Sequence, residues 1–276
     1  MKKMTIAIAS CFFAVTAIAQ VKMPQPSPLQ TIKQEFALGS IEVKYSRPAA
    51  KGRKVFGDLV RMNQLWRTGA NGATIVRFTD AVEINGKKVD TGSYALYTIP
   101  GNESWEIILN KGISNWGVDG YKVSDDVLRF KVTPMNVKNK VESFTIQFAD
   151  IKPETCEMHI IWEKTAVAIP IKATIKSRIQ AQLEDALKGD KKPYWQAAQF
   201  YNEYDNNPSK ALTYANEAVK ENPKAFWIWL YKAKLEKTLG DKTAAMASSK
   251  TSMQLATEAK NADYEKMNKD LQKTLK

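Results

Sequence analysis

Between Leu29 and Lys172, apolar and polar residues alternate with a period of two, the mark of strands that bury one face. Ile41-Glu42-Val43-Lys44-Tyr45, Ile75-Val76-Arg77-Phe78, Val127-Leu128-Arg129-Phe130-Lys131-Val132 and Phe144-Thr145-Ile146-Gln147-Phe148 each carry branched or aromatic side chains at alternate positions. Turn-forming residues separate these runs. Asn85-Gly86, between Ala81–Ile84 and Lys87–Val89, predicts a two-residue hairpin because both residues tolerate positive φ. Gly39-Ser40, Asp90-Thr91-Gly92 and Pro100-Gly101-Asn102 mark further reversals. One helical turn is expected around Asp58–Trp66. Pro24, Pro26 and Pro28 make an extended lead-in that cannot be a central strand. The pattern predicts an all-β sandwich or barrel domain over residues 20–172, built from about ten short, mostly antiparallel strands.

From Thr174 the period becomes helical. Leu183, Ala186 and Leu187 close an amphipathic segment that ends at Gly189-Asp190, and Lys191-Lys192-Pro193 reads as a helix stop. Residues 173–193 are therefore expected to form a connecting helix and linker. Beyond it, residues 194–276 hold an internal repeat: Trp195 recurs as Trp229, Ala211 as Ala245 and Ala218 as Ser252, each 34 residues on. Pro223 closes the first unit and Gly240-Asp241 turns the chain within the second. A period of this length, with an early aromatic, small residues in mid-repeat and a closing proline, resembles the tetratricopeptide pattern. The small residues let paired helices approach closely, while the aromatic fills the gap between units. The eighth position of each unit, usually small, is Gln199 in the first and Ala233 in the second. Asn261–Leu275 predicts a final helix that covers the open end. Two units fall short of the three that normally stand alone, so the array is expected to pack on the β-domain.

The N-terminus reads as an address. Lys2 and Lys3 precede the apolar run Ile6–Val15, and Ala17-Ile18-Ala19 supplies a cleavage pattern. Residues 1–19 are therefore expected to be a signal peptide cut after Ala19, with a periplasmic or secreted mature protein. That run, like every later one, falls short of the ~18 apolar residues of a membrane span, so no transmembrane segment is expected. Cys11 lies inside the run rather than after it, which argues against lipid attachment. Cleavage leaves Cys156 as the one cysteine, so no internal disulfide forms and the folds stand on packing.

Composition narrows the function classes. The 276 residues are 44% apolar and 25% charged, a globular mix. Two cysteines exclude a disulfide scaffold and a multi-cysteine zinc site, and the single histidine argues against transition-metal clusters and Ser-His-Asp hydrolysis. No metal and no cofactor is expected. The net charge of +12 is spread along the chain without a basic stripe interleaved with aromatics. It favours solubility and a mild attraction for anions, and a nucleic-acid partner is not expected.

Most apparent motifs dissolve. Gly52 and Gly57 have phosphate-loop spacing, but Asp58 and Leu59 occupy the positions of the Lys and hydroxyl residue. Gly112-Ile113-Ser114-Asn115-Trp116-Gly117 is too long for a nucleophile elbow. Alternation places Cys156, Met158, Ile160 and Trp162 on one face and His159 on the other, which separates a would-be Cys-His dyad. Asp119, Asp125 and Asp126 lack calcium-loop spacing and read as solvated acids.

The segment Tyr45–Asn71 is different. It concentrates Arg47, Lys51, Arg53, Lys54, Arg61 and Arg67 against one acid, Asp58, with glycines at 52, 57 and 69. Guanidinium forks together with exposed backbone N–H groups suit a carboxylate or phosphate. Arg47, Arg53, Trp66, Arg67 and Asn71 are the candidate ligand-binding residues, with Arg47 and Arg53 converging beside Arg67 and Trp66 anchoring beneath it. The competing explanation is a long connection whose Phe56, Leu59, Val60, Leu65 and Trp66 cover a sheet edge, with Arg67 forked to an acid such as Asp58.

Six short stretches carry a resemblance. Pro24–Pro28, Ile41–Pro48, Lys51–Phe56, Trp66–Asn71, Gly92–Pro100 and Trp105–Lys111 resemble, in order, the secreted bacterial family called domain of unknown function 2911. The helical tail is similar to the repeat extension that some members carry. The resemblance implies an exported β-rich domain in a cell-envelope setting and supplies no catalytic residues. The expected function is a non-enzymatic module whose β-domain binds a small anionic or carbohydrate ligand and whose repeats bind a protein partner. One alternative is a hydrolase acting on glycans or phosphate esters through carboxylates and Arg67. The other is a purely structural protein. Carboxylates gathered in one pocket of the β-domain would favour the enzyme; a pocket of Arg and Trp without them would favour binding.

Overall fold

The structure, a computed structural model, describes residues 23–276; the expected signal peptide and its cleavage site lie outside the described residues. The strands are β1 (Leu29–Phe36), β2 (Gly39–Ser46), β3 (Ala70–Phe78), β4 (Val82–Ile84), β5 (Lys87–Val89), β6 (Gly92–Ile99), β7 (Trp105–Asn110), β8 (Asp126–Val132), β9 (Met135–Ala149) and β10 (Thr155–Lys172). They form a six-stranded sheet in the order β1-β2-β3-β6-β7-β8 and a four-stranded sheet in the order β5-β4-β10-β9. All pairings are antiparallel. Neither sheet closes on itself, so of the two expected architectures the sandwich is the one adopted.

The core lies between the sheets. Val43, Val76, Leu96 and Ile107 from the larger sheet meet Phe144, Ile146, Met158, Ile160 and Trp162 from the smaller one, all buried in one cluster. Full burial of each such side chain contributes roughly 1.5–3 kcal/mol. Cys156 belongs to this core, and burial pushes its thiol up to about 11, helped by the Glu157 carboxylate. His159 faces the other way and bonds Glu157 at 2.7 Å.

Three local expectations need correction. No helical turn forms at Asp58–Trp66; the chain instead makes separate turns at 57–59 and 62–63 around a bridge between Phe56 and Val60. The first hairpin reverses at Ala37-Leu38, with Ala37 at φ 55°, so Gly39-Ser40 already belongs to β2. β9 and β10 are long, at 15 and 18 residues. β10 stays amphipathic over that length through a bulge at Glu163, which has φ 51° and disrupts the register with β9. Buried positions are even-numbered up to Trp162 and odd-numbered from Val167 to Ile171; the left-handed Glu163 lies between the two runs, where the pairing with β9 shifts register.

Six helices follow: α1 (Lys176–Ala186), α2 (Tyr194–Glu203), α3 (Pro208–Glu221), α4 (Phe226–Thr238), α5 (Lys242–Glu258) and α6 (Ala262–Lys273). From α2 onward each packs on the next. Ala197, Ala198, Ala211, Ala215, Ala233 and Ala245 are fully buried where helices approach, and Trp195 meets Tyr231 edge-on at 4.9 Å. Asn207, Asp241 and Asn261 cap α3, α5 and α6 with their side chains. α6 seals the end of the stack: Leu271 and Leu275 pack with Leu230, Ala233 and Ala245.

The helices are joined to the sandwich by a specific contact. Ile175, Ile179 and Tyr204 pack on the β-core. Glu154, in the β9–β10 turn, accepts the backbone N–H groups of Ile175 at 3.0 Å and Lys176 at 3.3 Å. It caps α1 from outside the helix and places its charge at the positive end of the helix dipole.

Candidate functional site

The arginine-rich segment between β2 and β3 forms a strap across one end of the sandwich. It is held to both sheets by backbone bonds: Ala50 N–H to Glu142 O and Asn63 N–H to Pro100 O, with Trp66 and Thr98 exchanging a pair. Glu163, at the β10 bulge, accepts the N–H of buried Val55 at 2.9 Å. Beneath the strap, Trp66 stacks on Trp162 with ring centroids 6.1 Å apart and meets Phe56, Trp105 and Phe144 edge-on. Its indole N–H donates to Gly69 O at 3.0 Å. Trp66 is thus an anchor that closes this end of the core.

The candidate arginines separate into two kinds. Arg47 is committed to the fold: its Nε donates to Phe144 O at 3.0 Å and a terminal nitrogen to Thr145 Oγ1 at 2.9 Å. Arg53 folds back on its own loop, donating to Ala50 O and Ala49 O at 2.9 Å. Asn71 is a turn residue with φ 62°, its amide reaching Ser46 Oγ at 3.2 Å. None of these three converges with Arg67.

Arg67 is the exception. Its Nε is buried and has no hydrogen-bond partner, and among the described residues its guanidinium forms no ion pair with Asp58 or any other acid. It lies against Gly117, where an added Cβ would stand 2.7 Å from a guanidinium nitrogen. Gly117 has φ 66°, so turn geometry and the approach of Arg67 both call for glycine there. Arg67 lines a 270 Å³ pocket with Leu59, Val60, Arg61, Gln64, Leu65, Trp66 and Val118. That lining has two cations, one amide and no carboxylate.

The far wall comes from the β7–β8 loop, which sequence reasoning set aside as a failed elbow. It covers the outer face of the larger sheet, where Tyr97 and Ile108 are fully buried beneath Leu65 and Tyr121. A polar network holds it down. Buried Asn110 donates to Lys122 O at 2.9 Å and Asp126 Oδ1 at 2.8 Å and accepts Gly112 N–H at 2.8 Å. Tyr121 donates to the Asp126 carboxylate, and Arg129 reaches Tyr121 Oη, Asp126 and Glu106. Burial pushes the Tyr121 phenol up to about 12, with a further upward push from Asp126. The available signal was the spacing of Gly112, Gly117 and Gly120 around Trp116, which marks a loop of special geometry.

Three larger clefts lack this character, and in the 340 Å³ one Lys88 and Arg178 are already paired with Asp90 and Asp80. A 530 Å³ cleft over Phe56 and Trp105 carries Lys54 as its one charged lining residue. A 410 Å³ cleft on the smaller sheet gathers Glu83, Asp150 and Glu157, but Lys152 and Lys172 line it too, and Glu157 is already bonded to His159. In the helical region Glu236 leaves one buried carboxylate oxygen unpartnered, the other lying 3.6 Å from Lys232 Nζ. Among the described residues no group of three or more His, Cys, Asp or Glu side chains is placed to hold a metal ion, and no helix is long and apolar enough to cross a membrane.

These features define an open antiparallel sandwich, strapped at one end, with a cationic pocket on its larger sheet and a helical stack joined to it at the β9–β10 turn. The family model described as a protein of unknown function, DUF2911, matches residues 27–171, and the chain belongs to that family. The match spans β2, the strap and both walls of the Arg67 pocket. No curated protein and no solved structure matches the chain.

Proposed function

We propose that the chain is an exported, non-enzymatic binding protein whose β-domain holds a small anionic ligand at Arg67. The observation that carries this reading is the buried, unpartnered Nε of Arg67 in a pocket with no carboxylate. Leaving a buried donor unpaired costs about 1–3 kcal/mol, so a folded chain that keeps one does so against its own stability. A carboxylate or phosphate oxygen would complete the guanidinium, and Arg61 and Gln64 supply further donors at the rim. Of the two ligand classes expected, the donors favour an anion over a neutral sugar; an acidic sugar satisfies both. The helical stack, read as tetratricopeptide-like, would present its surface to a protein partner. Export rests on Lys2, Lys3 and Ala17-Ile18-Ala19, and intact mass of protein from the native host should give Gln20 as the N-terminus.

The test is a thermal-shift and calorimetric titration with inorganic phosphate, citrate and glucuronate. A ligand that binds only the native state raises the midpoint in proportion to its occupancy. At least one of these anions should do so, Arg67→Gln should abolish the shift, and Arg47→Gln should leave it intact. Binding that survives Arg67→Gln overturns the assignment.

A further inference from the structure

The β7–β8 loop carries a second feature, which extends beyond the Arg67 pocket. Ile113, Trp116, Val118 and Val123 are 49%, 68%, 41% and 68% exposed, and Leu59, across the pocket from Val118, is 39% exposed. Large apolar side chains gathered this densely in solvent mark an interaction surface. The loop is not slack: Asn110, Tyr121, Asp126 and Arg129 pin its base, and Asn115 donates to Tyr97 Oη at 3.2 Å. The apolar tips are therefore held outward by a satisfied polar foundation. Around them stand exposed Lys111, Lys122 and Arg61, none in an ion pair among the described residues, against Asp119 and Asp125 on the same loop.

We infer that this loop is a docking surface for an anionic lipid bilayer. Tryptophan with neighbouring aliphatic tips suits the interface between headgroups and acyl chains, where an amphipathic ring has both its environments. The flanking cations match the sign of the membrane surface, and the net charge of +10 from Gln20 onward (the chain's +12 less Lys2 and Lys3) adds a long-range attraction. Leu59, Arg61 and Val118 also line the Arg67 pocket, whereas Ile113, Trp116, Lys111 and Lys122 lie outside it.

The probe is sedimentation with vesicles of equimolar phosphatidylcholine and phosphatidylglycerol, using the chain from Gln20 onward. This chain keeps every described strand and helix and omits the apolar leader, which would itself partition. The protein should pellet with these vesicles, and Trp116 emission should shift to the blue. Trp116→Ser with Ile113→Ser should weaken partitioning by about tenfold or more. Lys111→Gln and Lys122→Gln should each cost about fivefold on these vesicles and nothing on pure phosphatidylcholine. Both substitution sets lie on solvent-exposed positions, and an unchanged circular-dichroism spectrum identifies a folded variant. Failure of the parent chain to pellet, or undiminished pelleting of the Trp116/Ile113 variant, overturns the inference. So does a dimer in vesicle-free ultracentrifugation that dissociates in that variant, because the patch would then be covered by a second copy. Phosphate binding at Arg67 should persist in the loop variant, which separates failure here from failure of the pocket reading.

Discussion

Replacing Arg67 by methionine should stabilise the protein. The native Nε is buried without an acceptor, which costs about 1–3 kcal/mol relative to a satisfied donor. Methionine is unbranched, fills irregular space and brings no group that needs a partner. It also lies beside Leu59, Leu65, Trp66 and Val118, which offer apolar contact. Against the relief stands the loss of the guanidinium's packing on Gly117, so the net gain is about 1 kcal/mol, the lower end of the range. In a chain of this size that raises the unfolding midpoint by about 2–4 °C. Arg47→Met is the control of opposite sign. It removes charge-assisted bonds to Phe144 O and Thr145 Oγ1 and leaves a β9 carbonyl without its partner, for a loss of about 2 kcal/mol. Urea unfolding followed by the fluorescence of the Trp66–Trp162 stack reads both variants on one scale. A fall of 1 kcal/mol or more in Arg67→Met, with anion binding preserved, would make Arg67 part of the scaffold and refute the reasoning.

Other outcomes follow from the same geometry. Glu154→Ala removes the acceptor for two N–H groups at the start of α1 and should cost about 1–2 kcal/mol; hydrogen exchange should show faster amides at Ile175 and Lys176. The folded Tyr121 value of about 12 lies above the ordinary 10.0, so its contribution to stability is fully present below pH 10.0 and is lost as pH rises through about 12. The difference ultraviolet titration between the parent and Tyr121→Phe should therefore show a phenol that ionises late, and a transition near 10.0 would contradict the network. Asn268 is fully buried in α6, accepting from Ser249 Oγ and donating to Ser252 Oγ and Tyr264 O. Asn268→Ala strands the Ser249 hydroxyl and should lower stability by about 1–3 kcal/mol in urea unfolding.

What could be read from the sequence was strand and helix periodicity, and what could not was which partner each side chain would find, near or distant along the chain. Alternation identified β2, β3, β8 and the buried face of β10 up to Trp162, because strand periodicity needs no knowledge of neighbours. The parity change beyond Glu163 was hidden, since a bulge is imposed by pairing with β9 and by the bond from Val55. The five candidate site residues were all polar or aromatic positions on one segment, and nothing nearby distinguished them. Arg47 is consumed by residues 97 and 98 positions away, Arg53 by carbonyls three and four positions away. The second wall of the pocket escaped because its glycines resembled a broken catalytic motif, while their work is to admit Arg67 and turn the loop.

The separation of charges in the β-domain bears on catalysis. Hydrolysis of a glycan or phosphate ester through carboxylates and Arg67 requires a proton acceptor or nucleophile within hydrogen-bond reach of the bound group. The carboxylates that gather in a cleft, Glu83, Asp150 and Glu157, stand on or beside β4, β9 and β10 of the smaller sheet. Arg67 stands where the strap enters β3 of the larger sheet, in a pocket whose polar lining is Arg61, Gln64 and the Trp66 indole. The donors and the acids are thus on different sheets. The indole N–H is itself spent on Gly69 O, so what remains free in the pocket is a pair of guanidinium groups and one amide. Such a set matches the proposed oxyanion, and no carboxylate lines the pocket beside it. Arg47, Arg53 and Asn71 all find partners, on β9, within the strap and on β2 respectively, so an unpaired donor at Arg67 is not a failure of packing in general. It is one position where a buried donor is left without a partner, and the proposed anion binding rests on that donor.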